Sequence, residues 1–400
     1  VIGAPALQAR AGSIAAPGAV AADRLLAPWL SALRERLPGV RVFDCHTHVG
    51  VDPDGSRQTP GELLQALEVV DGRAVVFPLG DPAGYRAAND RMIAAAESSE
   101  GRLVAFCRVD PNDGGIQEAE RALERGAAGI KLHPRAERFG LAEAAVRRIA
   151  ALADERRLPI IVHAGRGIPA LGRDALELAA RYPRASLILA HAAISDLAWI
   201  WREAPAHPNV FFDTAWWNTA DQIALFALLP PGQILFASDI PYGRTAAALG
   251  VVLRAALGAG LSAEQIAAVA GGQLERLLAH EPPVELGPAP MRTAPAPGPL
   301  LERIHALLVA AAARMTTGQG ADEYLDLARL ACRLPADHPD APVAASIREL
   351  LDRYAGYRDS QPARHGPRPP GIHLIFLAAA IARVPSAPLP AAVASREDDR

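Results

Sequence analysis

Four separate stretches of this chain end in residues that could act together on one ion. Asp44-Cys45-His46-Thr47-His48 closes the apolar run Val40 to Phe43. Imidazoles at i and i+2 on a strand point to the same face, so His46 and His48 can grip a single cation. Later runs finish in His163, in His191 and in Asp239. Neutral imidazole nitrogens and a carboxylate oxygen suit Zn²⁺ and similar divalent ions. Such a set leaves a position for water, which the ion would acidify into a nucleophile near neutral pH. Each residue alone has a plainer reading. A strand-end His163 is commonly a hydrogen-bonded structural residue, and Asp239 could simply cap the next segment. Their recurrence at the right strand ends favours the joint reading.

These residues must be positioned by a regular scaffold, and the pattern around them is regular. Short apolar or β-branched runs alternate with helical periods. The expected strands are Val40 to Phe43, Ala74 to Phe77, Leu103 to Val109, Gly129 to Leu132, Pro159 to His163, Ser186 to His191, Asn209 to Thr214 and Gln233 to Ser238. Strands alternating with helices imply a parallel sheet with right-handed crossovers. Eight units over about 240 residues match a (β/α)8 TIM barrel, whose chemistry sits at the C-terminal ends of its strands. A doubly wound sheet is the rival, but no GxGxxG or P-loop opens the first turn. Barrel closure would bring strand eight beside strand one and strand five across the mouth, so His46, His48, His163 and Asp239 could converge.

Outside the barrel, residues 1–40 read as a helical lead-in, with one helix from Ala22 to Arg36 ended by Pro38-Gly39. Residues 281–299 read as a Pro/Ala-rich linker, and 300–400 as a helical C-terminal region with no assignable motif, its last residues from about Val384 expected to be mobile. The net charge of −3 gives no sign of nucleic acid or of an acidic partner. Cys45, Cys107 and Cys332 lie far apart without CxxC spacing, which disfavours a disulfide framework or thiolate zinc site. Cys45 should face away from the histidines and pack. The most apolar run, Ile372 to Ile381, is too short to span a bilayer, and the opening residues lack a basic segment followed by an apolar core. The expectation is a soluble cytoplasmic protein with no membrane or nucleic-acid partner.

Taken with Gly-Ile-Lys-Leu-His-Pro (129–134), Ile-Val-His-Ala-Gly (161–165), Leu-Ala-His-Ala (189–192) and Leu-Phe-Ala-Ser-Asp-Ile-Pro-Tyr (235–242), the Asp-Cys-His-Thr-His motif resembles the amidohydrolase superfamily. The likeness is to its amidohydrolase-related branch, which holds hydrolases and metal-dependent decarboxylases of the aminocarboxymuconate-semialdehyde and resorcylate kind. It covers about Arg41 to His280. The resemblance implies that His46, His48, His163 and Asp239 hold one divalent metal, usually zinc, although manganese or iron would accept the same set. It implies that Asp239 also takes a proton from the attacking water and that His191 polarises substrate or transfers protons. Binuclear relatives use His191 for a second ion and a carboxylated strand-four lysine as a bridge. Here Lys131 stands two residues before His133 on the same face, which favours a single ion.

Lys131 and His133 are then expected to contact an anionic substrate group. Lys131 could equally be a buried structural cation paired with Asp110 or Asp44. Arg135 and Arg166 are candidates for holding a carboxylate bidentately. Trp217, with Trp216, and Tyr242 could line the mouth, although packing under a loop is an equal reading for the tryptophans. Asp213 is expected to satisfy only loop backbone. The first functional expectation is hydrolysis of an amide, ester or lactone of a small molecule. The second is nonoxidative decarboxylation of an unsaturated or aromatic acid at the same residues. The third is an inactive barrel that serves as a scaffold through its C-terminal helices. Family likeness makes a homodimer an expectation without assigning an interface.

Overall fold

The computed structural model describes residues 17–165, 170–291, 295–360 and 369–391. Eight strands alternate with helices. They are β1 (Val42–Val51), β2 (Gly72–Pro78), β3 (Leu103–Ala105 and, after a break at Phe106, Cys107–Arg108), β4 (Ile130–Leu132), β5 (Pro159–Val162), β6 (Ser186–Leu189), β7 (Val210–Asp213) and β8 (Ile234–Leu235). Each pairs in parallel with the next. Backbone hydrogen bonds close the ring beyond β8: Cys45 N donates to Phe236 O, His48 N to Ile240 O and Asp239 N to His46 O, each at 2.9 Å. The expected (β/α)8 barrel is present. Its floor is filled by Phe43, Phe77, Phe106, Phe211, Ile161 and Ile188, while a larger apolar layer lies between strands and helices. Strands buried on both faces read as near-continuous apolar runs, which is why they were visible in the sequence.

β1 differs from expectation in two ways. It runs through both histidines and on to Val51, where residues 50–51 turn back in an antiparallel pair with Arg57–Gln58. It also carries a bulge: Asp44 pairs with Ala74 but Thr47 pairs with Val76, so β1 has one extra residue. Alternation alone would send His46 and His48 to the face opposite Phe43 and Cys45. The extra residue reverses the parity, so the phenylalanine, the cysteine and both histidines all face the interior. Asp44 pins this kink, its buried carboxylate accepting from His46 N at 3.1 Å, Ser238 N at 3.0 Å and Thr245 Oγ1 at 3.3 Å.

The single N-terminal helix expected is two, Pro17–Arg24 and Ala27–Arg36. Pro28 falls in the first turn of the second, where its missing N–H costs nothing, and so marks a fresh start. Four C-terminal helices follow the barrel: Pro299–Thr316, Asp322–Ala331, Ala341–Ser360 and Ile372–Arg383. The last is the apolar run seen in the sequence. It packs against Pro299–Thr316, Ala341–Ser360 and the barrel helix Thr245–Gly258, so most of its surface is covered. Among the described residues, no helix is long and apolar enough to cross a membrane.

The C-terminal region is tied tightly to the rest. Val384 and Ala387 are buried where mobile residues were expected. Arg254, fully buried in the Thr245–Gly258 helix, donates to Pro388 O at 2.8 Å and to Val384 O and Ala387 O at 3.1 Å. Those carbonyls, left over beyond a helix end, are satisfied by one guanidinium. The N-terminal helices join the same assembly, with Trp29 Nε1 donating to Ser346 Oγ and Arg353 Nη1 to Leu25 O, both at 2.7 Å. The segment around residues 281–291 lies along the barrel, where Met291 N donates to Ala227 O at 2.8 Å and Val284 N to Gln273 Oε1 at 3.0 Å. All three cysteines are buried and free.

Candidate metal centre

At the C-terminal mouth of the barrel a cavity of about 1010 Å³ is lined by His48, His133, His163, His191, Asp239 and Tyr242, among others. His46 lies just beneath, 1% exposed. His46, His191 and Asp239 offer ligand atoms that all lie within 4.8 Å of one another. His48 Nε2 stands 3.2 Å from His46 Nε2 and 3.1 Å from Asp239 Oδ1. His163 joins through His191, its Nδ1 being 3.0 Å from His191 Nε2. Both His191 and Asp239 have positive φ angles, 59° and 57°, in tight turns that direct their side chains across the strand ends.

Hydrogen bonding sets the tautomers. His46 Nδ1 lies 2.7 Å from Asp213 Oδ2, and His191 Nδ1 lies 2.9 Å from Ala215 O. A carbonyl or an ionised carboxylate can only accept, so both rings carry the proton on Nδ1 and present a bare Nε2 to the centre. Asp213 Oδ1 meanwhile accepts from His191 N at 2.7 Å and Ala215 N at 3.0 Å. One carboxylate therefore holds β1 and the turn after β6 at once. The expectation that Asp213 serves loop backbone alone missed its other oxygen. The available signal was its parity: Phe211 belongs to the barrel interior, and Asp213, two residues on, shares that face.

The donor set fits a cation. The lone pairs of His46 Nε2 and Asp239 Oδ1, 3.4 Å apart, converge, and His191 adds a third ligand atom within 4.8 Å of both. Burial pushes the pKa of His46, His48, His133 and His163 below the ordinary imidazole value, which keeps them neutral and suited to ligation.

The remaining expected residues fall as follows. Lys131 is fully buried, with Nζ 3.4 Å from His46 Nε2 and 4.8 Å from the Phe77 ring centroid. It sits beneath the histidines, outside the cavity wall, and burial lowers its pKa to about 8. No ion pair links it to Asp44, which accepts from Ser238 and Thr245 instead, or to Asp110, which accepts from Asn112 N. His133 stacks on His163 with ring centroids 3.9 Å apart, and its Nδ1 accepts from Ala136 N to cap the short helix Pro134–Glu137. Arg135, Trp217 and Tyr242 line the cavity, and Tyr242 meets His48 edge-on at 5.9 Å. Arg166 lies outside the described residues.

The cavity also holds a buried ion pair that the sequence did not reveal. Arg108 on β3 donates through Nη2 at 2.7 Å and Nε at 3.2 Å to Glu137 Oε1, which Tyr85 Oη also donates to at 2.5 Å. Nothing in the local pattern of β3 or of the Pro134–Glu137 turn pairs these two residues, which come together only through the ring.

A barrel with this cluster at its mouth defines a class, and the sequence places the chain in it. The chain belongs to the amidohydrolase family, whose model matches residues 43–278. Solved structures share the fold at low sequence identity. A Staphylococcus aureus protein described as an amidohydrolase superposes with a TM-score of 0.50 at 15% identity, over 60% of this chain and 99% of its own. The 5-carboxyvanillate decarboxylase of Sphingomonas paucimobilis gives 0.48 at 16% identity, over 60% and 99%. The 2,6-dihydroxybenzoate decarboxylase of a Rhizobium gives 0.47 at 15% identity, over 60% and 98%. No curated protein matches the chain by sequence.

Proposed function

We propose that this protein is a metal-dependent hydrolase that uses activated water on an amide, ester or lactone bond of a small molecule. One divalent ion, zinc by first expectation, would be held by His46, His48, His163 and Asp239, with His191, whose ligand atom lies within 4.8 Å of those of His46 and Asp239, beside them. When bound, such an ion supplies Lewis acidity, polarising a carbonyl and making water acidic enough to attack near neutral pH.

The observation that carries the reading is the position of Asp239. Its side chain is 17% exposed, whereas that of His46 beside it is 1% exposed. It therefore belongs to the cluster and to the cavity wall together. A carboxylate so placed can accept the proton of the attacking water. His191, held by Ala215 O through Nδ1, keeps a bare Nε2 that can take up the proton released by the attacking water, by way of Asp239, and pass it to the leaving atom. Asp213 fixes the His46 ring so that neither step waits for reorientation.

The test begins with metal content. Protein purified without chelator should carry about one ion per chain, and His46→Ala and Asp239→Ala should each lose it. The loaded protein is then offered esters, lactones and phenolic acids, with acid release scored against carbon dioxide. Acid release supports hydrolysis. Carbon dioxide without hydrolysis moves the chain to the decarboxylases, and failure to take up metal after reconstitution removes both readings.

A further inference from the structure

The cavity has two unlike sides. Toward β3 and β4 its wall carries Arg108, Glu137 and Arg135. Toward β7 and β8 it carries, with Ser238 and Arg244, an apolar patch of Trp217, Ala247, Ala248, Val251 and Phe376. Phe376 belongs to the Ile372–Arg383 helix, nearly a hundred residues beyond the family match that ends at 278. Its ring stacks on Trp217 with centroids 5.3 Å apart and planes 26° from parallel. His373 meets Phe376 edge-on at 5.6 Å and reaches the same cavity. Phe376 is buried, its helix packs against the Thr245–Gly258 helix, and Ala247 and Ala248 of that helix line the same cavity.

We propose that the Ile372–Arg383 helix completes the substrate cavity as an aromatic wall, and that the substrate presents an aryl ring to it. The polar reacting group then lies toward Asp239 and the histidines, while Phe376 and Trp217 select what is attached to it. The chemistry comes from the barrel and the selectivity comes in part from a helix outside it. Offset stacking of a third ring on this pair adds aromatic contact to plain burial. The inference rests on the proposed function only in that the same cavity holds the reacting bond.

The test uses two small probes, acetohydroxamate and benzohydroxamate, which share a polar head and differ in one aryl ring. Each is titrated into the full chain, both metal-loaded and chelator-treated. The wall predicts that the wild type binds the benzo compound about tenfold more tightly in both forms. Phe376→Ala should bring that ratio close to one, and Phe376→Leu, which keeps volume without a ring, should lower it part of the way. No preference for the aryl probe in the wild type, absent binding included, overturns the wall. So does a preference that survives in both variants. Metal dependence is read separately: equal affinities with and without the ion count against the hydrolase reading while leaving the ratio to judge the wall.

Discussion

Asp213 controls a proton that the candidate site needs in one place. With a carboxylate there, His46 must carry hydrogen on Nδ1 and leave Nε2 bare. Asp213→Asn keeps an oxygen for His191 N and Ala215 N but turns an amide N–H₂ toward His46. The ring must then accept at Nδ1 and protonate Nε2, the wrong tautomer for a ligand. Divalent-ion affinity is expected to fall about 10- to 100-fold with folding intact, as read by chelator competition and circular dichroism. Unchanged affinity would refute the tautomer account. Asp239→Asn is expected to cut turnover by roughly 10²- to 10⁴-fold at saturating metal, the usual worth of a general base. A rate within threefold of wild type would assign the base elsewhere. The residues that line the mouth were legible because each ends an apolar run. Asp213's second partner and the Arg108–Glu137 pair were not, because each joins strands whose spacing in sequence says nothing of their adjacency in the ring.

Among the elements, β1 and the C-terminal helices depart most from what periodicity predicts. An i, i+2 pair shows that two histidines share a face but not which face, and the bulge that decides it has no sequence mark of its own. The Ile372–Arg383 helix had no polar face to reveal its period, because ten of its twelve residues are buried. That helix receives a buried histidine from its neighbour: His305 Nδ1 lies 3.0 Å from Ala379 O. Burial lowers the pKa of His305 below its ordinary 6.5. The folded chain therefore binds fewer protons there than the unfolded chain once the pH drops below 6.5. Stability from this group is full above that value and declines as pH falls toward the folded pKa. Relative to His305→Asn, the wild type should lose up to about 1.4 kcal/mol for each pH unit below 6.5, measured by urea denaturation at several pH values. Parallel pH dependence in the two proteins would show that His305 protonates freely in the fold.

Taken whole, the barrel and the C-terminal helices share one apolar layer across the Pro, Ala and Gly segment that begins near residue 281. The last helix buries Ile372, Leu374, Ile375, Phe376, Leu377 and Ile381. At about 1.5–3 kcal/mol each this is on the order of 10 kcal/mol, as large as the net stability of a typical domain. Removing everything after residue 291 should therefore yield an aggregated or unfolded barrel, and not a trimmed active one. Sedimentation and circular dichroism of that truncation give the answer directly. A soluble, folded, metal-loaded barrel would show that the C-terminal helices are an accessory. Linker composition reports how a segment is built but not what lies on either side of it, and here both sides share one apolar layer.

The three hydrogen bonds from Arg254 also fix an order of events at the ribosome. Their acceptors, Val384, Ala387 and Pro388, lie 130, 133 and 134 residues further along the chain. At about 5–20 residues per second, the guanidinium is translated roughly 10 seconds before the carbonyls that satisfy it. For that interval the nascent barrel carries an apolar helix whose covering segment has not been made, so this helix cannot settle until about residue 388 has been translated. An aggregation-prone intermediate over that interval is the expected consequence of where one arginine finds its partners.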